Sequence, residues 1–203
     1  MTTGPRDLVQ GVDTSGMLDL GPILLPNVPG LEVHLDLDPR SGNGKSVSLH
    51  LNMSIAEVQL FATATNEDEW APMRDAIVNG LREQGVDCRV ELGAFGTEVR
   101  AVMPTVDLDG SAHVQPVRFI GIRGNRWLMR IVVSGDGALE PPAASSADIS
   151  EVDQLISQLV VNRGDDPRAP GERLWLRSPE VAKTESPGID NQDRQYENFH
   201  IQL

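Results

Sequence analysis

The chain has 203 residues, 39% hydrophobic and 23% charged, with a formal net charge of -13. That is enough apolar material for one folded domain and too much for a disordered chain. The acidic excess excludes phosphate backbones and anionic headgroups as default partners, because both need clustered Lys and Arg. A lone cysteine, Cys88, excludes an internal disulfide, and no apolar run approaches the roughly 20 residues of a membrane-spanning helix.

Residues 1–16 carry no apolar leader, so a flexible N-terminus and a cytoplasmic location are expected. Met17 to Leu20 and Ile23 to Leu25 are broken by Pro22, Pro26, Pro29 and Gly30 and read as edge or irregular extended pieces. From Leu31 the period becomes two: Leu31, Val33, Leu35 and Leu37 alternate with polar residues. After the turn PRSGNGK, Val47, Leu49, Leu51 and Met53 do the same, which predicts a hairpin. Glu57 to Ala64 is a third strand. The period then changes to that of a helix over 66–84, with Trp70, Met73, Ile77 and Leu81 on one stripe. Asn66 and Glu69 are spaced as a capping box, Pro72 lies near the start, and Gly85 marks the stop.

Val86, Cys88, Val90 and Leu92 alternate again and pair across GAFG with Val99, Ala101 and Met103. Val114 to Ile122 and Trp127 to Val133 make a third hairpin about Gly124-Asn125, apolar on both faces as central strands are. A second amphipathic helix carries Ile149, Val152, Leu155, Ile156 and Leu159 and stops at Arg163-Gly164. Leu174, Trp175 and Leu176 dock on the body, and residues 178–203 form a flexible tail. The sum is an α+β fold with one domain over 17–177: a largely antiparallel sheet of about eight strands built from hairpins, flanked by two amphipathic helices. The order of elements is similar to the topology of Mog1 and PsbP-type domains.

Four segments carry a more specific likeness: LDLGPILLP, AFGTEVRA, PVRFIGIRGNRWLMR and VVNRGDDPRAPGERLWLRSP. Together they resemble an actinobacterial family of acidic cytosolic proteins classed as a domain of unknown function, over about residues 17–179. The resemblance implies one domain and a cytosolic home, and brings no activity, cofactor or catalytic residue.

Catalytic motifs are sparse. The four histidines, His34, His50, His113 and His200, accompany no nucleophile elbow, and Cys88 falls on the core-facing alternation of its strand. SGNGKS at 41–46 lies between two strands, so it reads as a hairpin turn and not as a phosphate loop. Asp107 to Gly110 lacks the later glutamate of a calcium loop and reads as a turn, and Arg163-Gly164-Asp165 reads as a helix stop. Pairing Leu37 with Val47 sets His34 opposite His50 on the solvent face, with Asp36 one step along, within reach of one transition metal. Solvated surface histidines are the plainer reading, since no third ligand is evident.

The sharpest anomaly is electrostatic. Gly110 to Gly135 has no acid, yet holds Arg118, Arg123, Arg126 and Arg130 beside Trp127. Guanidinium groups beside an indole suit a carboxylate, a phosphate or a stacked base; the plainer reading pairs Arg118 and Arg130 with carboxylates of neighbouring strands. Arg118 and Arg130 are expected on opposite faces. The tail ends with apolar Tyr196, Phe199, Ile201 and Leu203, which could dock as a short peptide. The reading favours a non-enzymatic cytosolic binding or regulatory module with a protein partner, no cofactor and no membrane. The alternative is a small anionic ligand or nucleotide bound at the Arg-Trp hairpin.

Overall fold

The computed structural model describes residues 4–9, 12–64, 68–106, 110–139 and 150–179, and the backbone of 199–202. The strands are β1 (Arg6–Asp7), β2 (Leu18–Asp19), β3 (Ile23–Leu25), β4 (Leu31–Leu37), β5 (Gly44–Leu51) and β6 (Ser54–Ala62). After helix α1 (Trp70–Glu83) come β7 (Cys88–Gly93), β8 (Gly96–Val106), β9 (Ala112–Arg123) and β10 (Trp127–Gly135). Helix α2 (Glu151–Ser157), β11 (Val160–Val161) and β12 (Phe199–Gln202) follow. The main sheet is antiparallel, in the order β12-β4-β5-β6-β10-β9-β8-β7, and a small second sheet runs β1-β11-β3-β2.

The period of two decides which face is dry. Leu31, Val33 and Leu35 of β4, Val47 and Leu49 of β5, Val58 and Leu60 of β6, and Met129 and Ile131 of β10 all fall on the inner face and are buried. A one-residue slip of any strand would turn its whole set to water. Over this face lie the small sheet and α2, contributing Leu20, Ile23, Leu25, Val152, Leu155 and Ile156 to a single core.

Helix α1 lies on the opposite, outer face, against β7, β8 and β9. Asp68, and not a capping box at Asn66, supplies its cap: Asp68 Oδ1 accepts from the amides of Trp70 and Ala71. Asn66 lies outside the described residues. Pro72 is the third helical residue, where a missing N–H costs nothing. Gly85, at φ +72°, ends the helix with Gly85 N–H donating to Arg82 O and Val86 N–H to Leu81 O, the paired closure that needs a left-handed residue. Trp70 lies flat on β9 at Gly121, where any Cβ would meet the indole, and its Nε1 donates to Thr97 O.

Several expectations change. Leu35, and not Leu37, faces Val47, so the first hairpin is offset by two from the expected register, and a separate irregularity between Asp36 and Leu37 sets Leu37 across from Gly44 at the turn end. Met53 is not a strand residue: Asn52, at φ 53°, and Met53 make the β5–β6 turn, and Met53 is exposed. Met73 and Ile77 are only half-buried, the buried stripe of α1 being Trp70, Val78 and Leu81. Val90 and Leu92 are exposed because β7 is the sheet edge and α1 does not reach its end. Arg163-Gly164 does not end α2, which stops at Ser157, since Val160–Val161 is needed as a strand between β1 and β3. Arg6–Asp7, within the segment expected to be flexible, pairs in parallel with β11, and Asp7 accepts from Trp127 Nε1. Ile149, Asp107 and most of the tail lie outside the described residues.

The segment after β11 closes the fold. Beyond Val58, β5 no longer pairs with β6, and residues 171–176 run into the gap. Ala62 N–H donates to Glu172 O, Leu174 N–H to Leu60 O, and Gly44 and Leu176 exchange both hydrogen bonds. Leu174 and Leu176 are buried as expected, while Trp175 stays on the outside.

Candidate functional site

The four hairpin arginines and Trp127 do not meet in one pocket. Arg118 lies on the inner face and is buried. Its fork donates to Glu98, Nε to Oε1 at 3.0 Å and Nη2 to Oε2 at 2.9 Å, while Nη1 donates to Asp153 Oδ1 at 3.1 Å and to Gly137 O at 2.9 Å. Arg100 Nε also donates to Glu98 Oε1, at 2.9 Å. Burial by itself lowers the basicity of Arg118, but bonding and attraction to Glu98 and Asp153 win, and its pKa is raised. This cluster fastens α2 to the sheet, because Asp153 stands in the first turn of α2, above Ser150, whose Oγ accepts from Asp153 N–H. Each of the three guanidinium nitrogens of Arg118 is engaged inside the protein, which makes the cluster a structural one.

Trp127 is fully buried in the core and offers no stacking face. Arg123 lines a cleft of about 510 Å³ with Asp68, Arg74 and Thr97, on the side of α1, where Arg74 pairs with Asp75 at 2.9 Å. Arg126 holds the turn at φ 63°, its carbonyl accepting from Thr63 N–H. Beside it stands Arg163, whose pKa is lowered by burial and then by Arg126 and Arg168.

Arg130 is different. Register with β9 and β6 puts it on the outer face, across from Gln59, whose Oε1 accepts from Arg130 Nη2. Its guanidinium carbon stands 5.8 Å from the centroid of Phe61. The guanidinium of Arg173 stands 5.3 Å from the same ring and 5.9 Å from Trp175, with Nη1 donating to Lys45 O at 2.6 Å. Neither forms a salt bridge among the described residues. Arg130 Nε is buried without a hydrogen-bond partner. Burial and then the charge of Arg173 lower the Arg130 pKa, and Glu57 opposes them only in part. Two guanidiniums at one aromatic ring, with a donor unsatisfied, suit an incoming carboxylate or phosphate.

Phe61, Arg173 and Trp175 were the residues that the acid-free run did not reveal. Their signal lies in RLWLR, where Leu174 and Leu176 face in, so that Arg173 and Trp175 must face out.

The remaining candidates are placed as follows. His34 and His50 share the outer face with ring centroids 4.5 Å apart, though by diagonal contact: His34 faces Ser48 and His50 faces Glu32. Among the described residues no group of three or more His, Cys, Asp or Glu stands ready to hold a metal. Cys88 is half-buried, with Sγ 3.9 Å from Val78 O. The segment 41–46 passes from a turn ordered by Asp38 Oδ1, which accepts from the amides of Arg40 and Ser41, into β5 at Gly44, and no helix follows. Phe199 pairs with Leu35 at the sheet edge, and Tyr196 lies outside the described residues. No helix among the described residues is long and apolar enough to cross a membrane.

Fold and site together define a two-sheet α+β domain with a helix over one half of its outer face and an arginine–aromatic cluster on the other half. A family model described as "Protein of unknown function (DUF3710)" matches residues 4–185, and the chain belongs to that family. The match runs past residues 17–179 at both ends. No curated protein matches the chain.

Proposed function

We propose that this protein is a non-enzymatic cytoplasmic binding module that holds an acidic segment of a protein partner on the open half of its outer sheet face. The observation that carries this is the Arg130–Arg173 pair on Phe61: two guanidiniums without carboxylate partners among the described residues, in a chain of net charge -13. Long-range attraction cannot recruit an acidic ligand to so acidic a molecule, so recognition must come from short, desolvated, forked contacts. Trp175 supplies an apolar flank at the rim, as aromatic residues do at interfaces. The unsatisfied Arg130 Nε favours a second reading, a small anion such as a phosphate in the same place.

One titration separates the two. Trp70 and Trp127 are buried, so Trp175 is the exposed indole and its fluorescence reports on this face. A hexaglutamate peptide should change that emission saturably, and Arg130→Ala/Arg173→Ala should abolish the change. Saturation by inorganic phosphate but not by peptide would transfer the site to the small-anion reading, and no response to either would reject both.

A further inference from the structure

Strand β7 ends the main sheet on the side away from β12, and among the described residues it pairs with β8 alone, in unbroken register from Cys88 to Gly93. Asp87 O accepts from Val102 N–H, so the backbone of Asp87 is turned toward β8. Antiparallel ladders alternate, which turns the polar groups of Arg89, Glu91 and Gly93 the same way and leaves the N–H and C=O of Cys88, Val90 and Leu92 pointing off the edge. Native edges are commonly blunted by proline, a bulge or a covering element, and this strand of six residues has neither bulge nor proline. On the α1 side of the edge, Val90 and Leu92 are 45% and 72% exposed. On the other side Arg89 Nε donates to Glu91 Oε2 at 2.7 Å, and Arg100 also pairs with Glu91.

We infer that β7 is a dimerisation edge: two copies of this chain join by antiparallel pairing of β7 with β7 about a twofold axis at Val90. In that register Val90 exchanges both hydrogen bonds with Val90 of the second copy, and Cys88 does so with Leu92, which uses every polar group that points off the edge. The charges select this register. It sets Arg89 across from Glu91 on both sides of the axis, in the closer, non-hydrogen-bonded pairs. Sliding by two one way sets Arg89 against Arg89 and Glu91 against Asp87, and sliding by two the other way sets Glu91 against Glu91. A slide by one is barred, because it opposes groups that face the edge to groups that face β8. On the α1 side, Leu92 of the second copy comes to lie beside Cys88, which packs on Val78, Leu81 and Val86, so this small core continues across the axis. One strand pair makes a small interface, and the dimer is accordingly a reversible one. The edge lies beyond β8 and β9 from the Arg130–Arg173 cluster, and the inference does not rest on that cluster.

The test is sedimentation velocity of the full chain across the micromolar range, with amide exchange followed at low and high concentration. The expected result is a monomer–dimer equilibrium in which protection of the Cys88, Val90 and Leu92 amides rises with concentration, while that of Arg89 and Glu91, already bonded to β8, stays constant. Arg89→Glu and Glu91→Arg each place like charges across the axis and should each weaken the dimer about tenfold or more. Mixed in equal amounts, these two variants should pair with each other nearly as tightly as the wild type pairs with itself, because both contacts across the axis are then of opposite sign. Val90→Pro removes a donor that only the dimer uses and should stay monomeric with native circular dichroism. Should Glu91→Arg fail to fold, since Arg100 also uses Glu91, the amide protection and Val90→Pro decide the matter. A wild type that is monomeric throughout, a dimer that survives Val90→Pro, or folded charge variants that dimerise alone or fail to pair when mixed would each overturn the proposal.

Discussion

Arg118 and Arg130 come from the two strands of one hairpin, twelve positions apart, and meet opposite fates. Arg118 faces inward, where Glu98 from β8 and Asp153 from α2 close on it and its pKa is raised. Arg130 faces outward beside an aromatic ring and a second arginine, and its pKa is lowered. Both sit in a run without acids, yet the carboxylates that neutralise Arg118 lie 20 and 35 residues away in sequence. Local charge bias thus marks where cations are. Strand register and the elements that cover each face decide which of them is left for a ligand.

The largest expected effect lies on the inner side. Arg118→Ala leaves Glu98 and Asp153 buried without their shared partner and should cost roughly 3–5 kcal/mol, the usual consequence of breaking a buried ion pair from one side. Chemical denaturation measures it, and an unchanged midpoint would erase the distinction between the two arginines. Asp153→Asn keeps the shape but removes one charge and should cost about 1–3 kcal/mol, with most of the loss in the anchoring of α2. Protection of the α2 amides from exchange should fall more than that of β4 or β5.

On the outer side the effects shrink. Phe61→Ala removes the ring that both Arg130 and Arg173 approach and should cost about 1 kcal/mol. It should leave the Arg118 cluster untouched, as seen in unchanged protection of the Gly137 amide, which donates to Ser54 Oγ. The smallest effect belongs to a solvated turn. The Ser41 amide, with lesser help from Arg40 N–H and Ser41 Oγ, holds the Asp38 carboxyl below its ordinary pKa. A depressed folded pKa means that this contribution is present above the ordinary carboxylate range and is lost as pH falls through the lower, folded value. Asp38→Ala should therefore flatten the acid limb of the stability curve slightly, and superimposable acid limbs would contradict it.

The fold was largely legible because it rests on alternation. The three hairpins, the position of α1 and the burial of Leu174 and Leu176 all follow from periods of two and 3.6. What escaped depends on partners distant in sequence. The small sheet is built from strands of two and three residues, too short to show a period, and Arg6–Asp7 becomes a strand only because β11 lies beside it. The two-residue offset in the register of the first hairpin keeps every side chain on its face and so leaves no trace in the alternation. Of the candidate site, Arg130 was legible through the acid-free run. Arg173 was not, because it reaches Phe61 only after residues 171–176 fill the gap beside β6.

The central claim is that the inner arginine holds the fold and the outer pair holds a ligand. Its most direct test is the double variant Arg130→Ala/Arg173→Ala, measured for unfolding midpoint and for the Trp175 response to hexaglutamate on the same sample. The account predicts a stability within about 1 kcal/mol of the wild type, since neither side chain is in an ion pair among the described residues, together with loss of the peptide response. A variant destabilised as far as Arg118→Ala, yet still binding the peptide with wild-type affinity, would contradict it.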